Sequence, residues 1–319
     1  MRATATAQPN IALIKYWGKR DLERNLPAVG SISITLADLS TTMAVEFDED
    51  LGDDQLEVNG EQNSRMLPRV SRCLDFVAGA NRSRANVVSE SNFPIAAGLA
   101  SSASSFAALT VAAAAAIDRH ATREQLGQLA GQASGSAARS LYAGFAELAN
   151  DDDAIRLHAL LEPDEWPLQV VVAVTDTGPK AIGSTEAMEI SRQTSPFYAS
   201  WVADQDKDLA VAREAIAARD FTALAAISEH NCLKMHSIMW ASRPPTVFWN
   251  SATLNCLQTI RRLQADGVSV FFTIDAGPQV KAVCLPQHVD AVSDALRATD
   301  GVREIMTTGL GAGARLVNQ

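Results

Sequence analysis

The chain has 319 residues, 47% hydrophobic and 20% charged, a balance that suits one large globular domain or two modest ones sharing a cleft. Its formal net charge of −10 excludes a broad nucleic-acid-binding surface, although a few local cations and helix N-termini still suffice to recognise an anionic small molecule. The opening MRATATAQPN has no apolar signal core, and the longest apolar run, Phe106 to Ile117, is too short to span a bilayer, so no membrane association and a cytoplasmic location are expected.

Strand-like segments dominate the first part. Ser31 to Leu36 (SISITL) alternates small polar with apolar residues, and Thr41 to Phe47 follows after a short turn. Gln55 to Val58 runs into Asn59-Gly60, a hairpin signal. Arg65 to Val77 has the spacing of an amphipathic helix, and Ala85 to Ser91 reads as a strand. The small-residue stretch Asn92 to Ser105 leads into an Ala-rich helix ending near Asp118, followed by a helix over Arg123 to Ala130 and a second small-residue turn, Ser134 to Ser140. Leu168 to Thr175 is a β-branched run typical of a buried strand. The stretch 203–265 is mostly helical, broken at Arg243-Pro244-Pro245. Val268 to Ile274, Val280 to Leu285 and Val302 to Thr307 read as strands, 287–298 as a helix, and a Gly-rich segment closes the chain. The irregular alternation predicts an α+β fold, with a division near 170–185 into residues 1–180 and 181–319. Asp151-Asp152-Asp153 reads as a solvated loop, and Cys73, Cys232, Cys256 and Cys284, with neither CxxC spacing nor a Cys/His cluster, as free buried thiols.

Four segments have residues suited to chemistry. Around Gly98, backbone N–H groups and the hydroxyls of Ser101, Ser102, Ser104 and Ser105 suit a phosphate or Mg2+, though no GK[ST] is present and tight helix packing explains the same residues. Ser134-Gly135-Ser136-Ala137-Ala138-Arg139-Ser140 combines two serines with an arginine able to grip a carboxylate or diphosphate by two prongs; the alternative is a helix cap by Ser134 and a surface Arg139. Asp275, in the DAGP turn after a hydrophobic strand, is placed to take a proton from a hydroxyl, or simply to form the turn. In Asn10 to Asp21, Lys15 and Lys19 would share one face if the segment takes a helical turn, where an anion would relieve their repulsion; the alternative is an amphipathic surface turn.

In combination and order, NIALIKYWGKRD, NLPAVGSISITL, NFPIAAGLASSAS, SGSAARSLYAGF and DAGPQVK resemble the motif series of diphosphomevalonate decarboxylases of the GHMP kinase superfamily, from about residue 5 to the closing GLGAG. The resemblance implies a two-lobed fold, with a ribosomal protein S5 domain 2-like N-terminal lobe holding the ATP loop, a ferredoxin-like C-terminal lobe and a central cleft. It also implies phosphorylation of the 3-hydroxyl of mevalonate 5-diphosphate by ATP with Mg2+, then loss of phosphate and CO2 to give isopentenyl diphosphate, in a homodimer. By the same resemblance, Asp275 orients or deprotonates the hydroxyl, Arg139 holds the carboxylate or phosphates, and Lys15 lies close to Asp275 and the transferring phosphate. Tyr16, Lys19, Ser134, Gly135 and Ser136 match substrate-binding positions, and Asn10 and Ser184 fall in matching motifs. Pro94, Ala96, Ala97, Gly98, Leu99, Ala100, Ser101 and Ser102 match the ATP phosphate loop; no side chain is assigned as a direct metal ligand, Mg2+ arriving with ATP and Ser101 or Ser102 available to it. Three departures from the family stand out: Val29-Gly30 where an Asn-Ser pair is frequent, Ala138 for the usual Cys, and Gln279 for an Asn. A decarboxylase of mevalonate 5-monophosphate, a 3-hydroxyl kinase that stops before decarboxylation, and a silent binding module are the competing readings.

Overall fold

The structure, a computed structural model, describes residues 1–93, 101–151, 154–178 and 181–317. A six-stranded sheet has the order Arg315–Leu316, Arg2–Ala7, Thr41–Asp48, Arg84–Ser91, Gln55–Val58 and Glu61–Gln62. Thr41–Asp48 alternates buried with less buried residues, the pattern of a sheet with one face on a core. Asn59 and Gly60 both take positive φ (51° and 83°), as a two-residue hairpin turn demands.

Helix α1 (Leu67–Ala78) starts with a proline in its first turn and buries Val70, Cys73, Leu74 and Val77, one stripe at helical spacing. Helix α2 (Ser101–Ala116) is buried on nearly all sides, because its alanines let it lie close against the large sheet. Helix α3 (Arg123–Ala133) starts with a capping box between Thr122 and Gln125. These elements close the first core around Val45, Leu74, Val87 and Phe106.

A second sheet runs Ile155–Leu161, Phe145–Asn150, Ser31–Thr35, Asn10–Ile14. A third runs Val270–Thr273, Val280–Cys284, Gln169–Val174, Glu304–Thr308, so the buried strand at 169–174 pairs with C-terminal strands. Helices α4 (Ser184–Thr194), α5 (Tyr198–Ala218), α6 (Phe221–Trp240), α7 (Ser251–Ala265) and α8 (Val289–Arg297) accompany these sheets. Together they form the α+β architecture expected from the sequence. The second and third sheets meet where Thr273 Oγ1 donates to Ala12 O at 2.9 Å.

Several expectations need correction. The stretch at 203–265 breaks twice: left-handed Arg219 ends α5 and the Asp220 side chain caps α6, before the interruption at 241–250. The segment holding Lys15 and Lys19 is not helical; a strand ends at Ile14, and Lys19–Asp21 pairs with Leu26–Pro27. All four cysteines are buried and free. No helix among the described residues is long and apolar enough to cross a membrane.

Candidate active site

Two strand ends place the central charges. Lys15 follows the strand Asn10–Ile14, and Asp275 follows Val270–Thr273, in a turn closed by a hydrogen bond from Gly277 N to Asp275 O. Lys15 Nζ donates to Asp275 Oδ1 at 2.7 Å and to Ala12 O at 2.8 Å. Its backbone is clamped from α5 and α6: Lys15 N donates to Asn231 Oδ1 and Gln205 Nε2 to Lys15 O. Lys281 Nζ lies 3.4 Å from Asp275 Oδ2. That oxygen is buried, and among the described residues it takes part in no well-formed hydrogen bond. Burial pushes the Asp275 carboxyl up, but the two ammonium groups outweigh it and hold it well below the usual carboxylate range.

Arg139 sits in a short 3-10 turn, Arg139–Leu141, and is 2% exposed, which removes the reading of a surface arginine. Its guanidinium donates from Nε to Ser33 Oγ (2.9 Å), from Nη1 to Ser31 Oγ (2.5 Å) and from Nη2 to Asn10 Oδ1 (3.3 Å). Ser31 and Ser33 lie two apart on one strand and so present both hydroxyls to the same side. Asn10 also donates to Ser136 O and Ser140 Oγ, so one amide braces the whole turn. Burial draws the Arg139 guanidinium down to about 10, which leaves it charged at neutral pH.

Ser134 ends α3 as its C-cap instead of starting a helix. It lines the cleft with Gly135 and Ser136. The Tyr16 ring packs so close to Gly135 that a Cβ there would fall 2.6 Å from its hydroxyl. Tyr16 Oη is buried with no hydrogen-bond partner among the described residues, and burial raises its pKa. Lys19 Nζ donates to Thr185 Oγ1 at 3.2 Å; burial, then Arg69 and Arg72, lower its pKa.

These residues line one cleft of about 340 Å3, together with Ser102, Ser184 and Asp275. Among the described residues its lining holds Lys15, Lys19, Arg69 and Arg139 but Asp275 as the sole carboxylate, so it suits an anion of several charges. Ser102, at the start of α2, reaches the cleft, whereas Ser104 is fully buried and bonded to Thr41 Oγ1 and Ser101 O. Pro94, Ala96, Ala97, Gly98, Leu99 and Ala100 lie outside the described residues. Among those described, no cluster of His, Cys, Asp or Glu could hold a metal ion. The cleft still fits a metal-bearing nucleoside triphosphate: Ser102 lies in the first turn of a 16-residue helix there, and at its wall the buried Tyr16 Oη and Asp275 Oδ2 have no hydrogen-bond partner among the described residues. Sequence reasoning missed Arg69 and Lys281; the latter lay within the quoted DAGPQVK run but carried no local sign of facing Asp275.

A half-buried carboxylate flanked by two lysines, at the seam of two sheets, defines an enzyme cleft for phosphorylated anions. Residues 7–158 match the diphosphomevalonate decarboxylase-like N-terminal domain, and residues 170–313 the mevalonate 5-diphosphate decarboxylase C-terminal domain. Diphosphomevalonate decarboxylase of Homo sapiens is 34% identical over 90% of this chain and 77% of that protein. Phosphomevalonate decarboxylase of Haloferax volcanii is 32% identical over 100% of this chain and 98% of that protein. The solved mevalonate diphosphate decarboxylase of Enterococcus faecalis, studied for mevalonate diphosphate mediated ATP binding, superimposes with a TM-score of 0.91 at 32% identity, over 100% of this chain and 99% of that one. The chain therefore belongs to the diphosphomevalonate decarboxylase family and has its GHMP kinase fold.

Proposed function

We propose that the protein converts mevalonate 5-diphosphate to isopentenyl diphosphate, phosphate and CO2, with ATP going to ADP. The observation that carries this reading is the Asp275 carboxylate, held by Lys15 at 2.7 Å and faced by Lys281 at 3.4 Å, in a cleft whose other charged residues, among those described, are cations. Bound as its Mg2+ complex, ATP supplies the phosphoryl group that turns a tertiary hydroxyl into a leaving group.

The chain's own residues do the rest. The Asp275 carboxylate, at the cleft wall, accepts the hydrogen bond of the substrate 3-hydroxyl and aims its oxygen. Because two lysines hold Asp275 at low basicity, it takes the proton late, as suits a loose phosphoryl-transfer transition state with little need for an early alkoxide. Lys15 offsets negative charge gathering on the transferred group. When the C3–O bond of the phosphorylated substrate breaks, the C1–C2 electron pair becomes the new double bond and C1 leaves as CO2. Arg139, locked by Ser31, Ser33 and Asn10, orients that carboxylate without following it. Tyr16, Lys19, Ser134, Gly135 and Ser136 bind the phosphate end, and Ser101 and Ser102 the nucleotide phosphates.

A second reading has its own support. The Haloferax volcanii relative, named a phosphomevalonate decarboxylase, matches over essentially the full length of both chains. The phosphate end here offers Lys19, itself engaged by Thr185. Initial rates with mevalonate 5-diphosphate and mevalonate 5-monophosphate, following ADP and CO2 together, separate the cases. Turnover of the diphosphate with equal ADP and CO2 is expected. Turnover of the monophosphate alone gives the second reading, and ADP without CO2 makes the enzyme a kinase.

A further inference from the structure

Lys281 is a lysine in the middle of a core strand. It lies on Val280–Cys284, every residue of which is buried, with Val280, Ala282, Val283 and Cys284 fully so. Its side chain is 1% exposed. Burying an ammonium there is costly unless a charge of opposite sign compensates it. The carboxylate that compensates it is Asp275, already bound by Lys15 on the other oxygen. For stability alone, one lysine on this carboxylate is enough, and a second leaves the centre with an excess positive charge. That excess suits a site whose ligands are anions.

The two lysines engage the carboxylate differently. Lys15 makes a direct 2.7 Å hydrogen bond to Oδ1. Lys281 comes within 3.4 Å of Oδ2, a longer ion pair on an oxygen that is itself buried. Lys281 thus supplies charge at the buried oxygen, the one that Lys15 does not hold.

We propose that Lys281 is a positioning residue of the reaction, acting through Asp275: it fixes the carboxylate opposite Lys15 and keeps it ionised for the substrate hydroxyl. This rests on the role given to Asp275 above.

The surrounding groups leave the two lysines as the main charges acting on Asp275. From α6, Cys232 Sγ and His236 Nε2 contact Ile274 O, next to Asp275 in the chain. Burial raises the Cys232 thiol and drives His236 down to about 3, so both are neutral near pH 7. Tyr16, raised by burial, is neutral too, and Arg139 adds a more distant positive charge. Burial also lowers the Lys281 ammonium, opposed by Asp275. Both cations depress Asp275, so removing Lys281 must raise it, and the acid limb of kcat/KM must then move to higher pH.

The test compares Lys281→Met and Lys281→Arg with the wild type, across pH, on mevalonate 5-diphosphate with MgATP. Lys281→Met should lose about tenfold or more in kcat, with the KM for ATP nearly unchanged, and move the acid limb up by about one unit. Lys281→Arg should recover most of both. In parallel, 13C NMR of carboxyl-labelled aspartate follows Asp275 directly, its resonance identified by its loss in Asp275→Asn; its midpoint should rise in Lys281→Met. Where the methionine variant fails to fold, Lys281→Gln takes its place with the same outcomes. A folded variant with wild-type kcat, acid limb and NMR midpoint overturns the proposal. A wild type silent on this substrate overturns the assigned reaction instead, and the NMR midpoint alone then decides the role of Lys281.

Discussion

Replacing Arg139 by lysine keeps the charge and removes the fork. The guanidinium now serves three buried acceptors on two strands: Ser33 Oγ, Ser31 Oγ and Asn10 Oδ1. One ammonium on a shorter stem reaches one of them, leaving two polar atoms to find other partners in a fully buried setting. An orphaned buried group costs about 1–3 kcal/mol, and the serine hydroxyls can turn, so the loss in unfolding free energy should fall near 2–4 kcal/mol. The kinetic loss is separate. A planar, locked donor pair aimed at a carboxylate is worth about 10²–10³ in rate, by analogy with removing one preorganised oxyanion donor. Chemical denaturation reads the first quantity, and steady-state ADP and CO2 formation the second. Ser31→Ala is the control: it removes one brace and keeps the guanidinium, so it should cost about 1 kcal/mol in stability and less than tenfold in kcat/KM. An Arg139→Lys enzyme within threefold of wild-type kcat/KM would refute a carboxylate-gripping role and leave Arg139 as a structural brace for Asn10, Ser31 and Ser33.

Asp275→Asn keeps the shape and removes the negative charge, so kcat should fall by about 10³ or more while nucleotide affinity, measured by calorimetry, holds; wild-type turnover in that variant would remove Asp275 from the chemistry. The same carboxyl is depressed in the fold, so its contribution to stability is complete above the ordinary aspartate value of about 3.9 and disappears as pH falls through the lower folded value; denaturation curves of the Asn variant should lack that component. Gly135→Ala should act through Tyr16, because the new methyl would lie 2.6 Å from its hydroxyl and 2.7 Å from Cζ. The KM for the phosphorylated substrate should rise about tenfold with a smaller change in kcat; an unchanged KM would take Tyr16 and Gly135 out of the phosphate end.

The sequence made part of this site legible because its polar residues sit in short, unusual runs. Asp275 follows a hydrophobic strand into a DAGP turn, and the structure places it at a strand end facing the cleft. The strands Ser31–Thr35 and Gln55–Val58 follow from alternation and from Asn59-Gly60. Other features depend on contacts far apart in the chain. Arg2–Ala7 escaped notice because its inward residues, Ala5 and Ala7, are small, and only an alanine-faced α2 laid against them makes them a core. Ser31 and Ser33 look like the wet face of a strand until Arg139, more than one hundred positions away, is set against them. Lys15 and Lys19 suggested a helical face from their spacing, yet tertiary pairing puts Lys15 just after one strand and Lys19 at the start of another. Lys281 shows nothing in sequence, since its partner is chosen by the fold of a hairpin.

A rapid-quench experiment with excess enzyme, mevalonate 5-diphosphate and MgATP tests the central claim most directly, because it counts products of one turnover. Wild-type enzyme should yield ADP, phosphate and CO2 in equal amounts, and Asp275→Asn should yield none of them on the same timescale. ADP from the wild type without CO2, or equal products from both enzymes, would contradict a decarboxylation that starts with phosphoryl transfer to a hydroxyl held by Asp275.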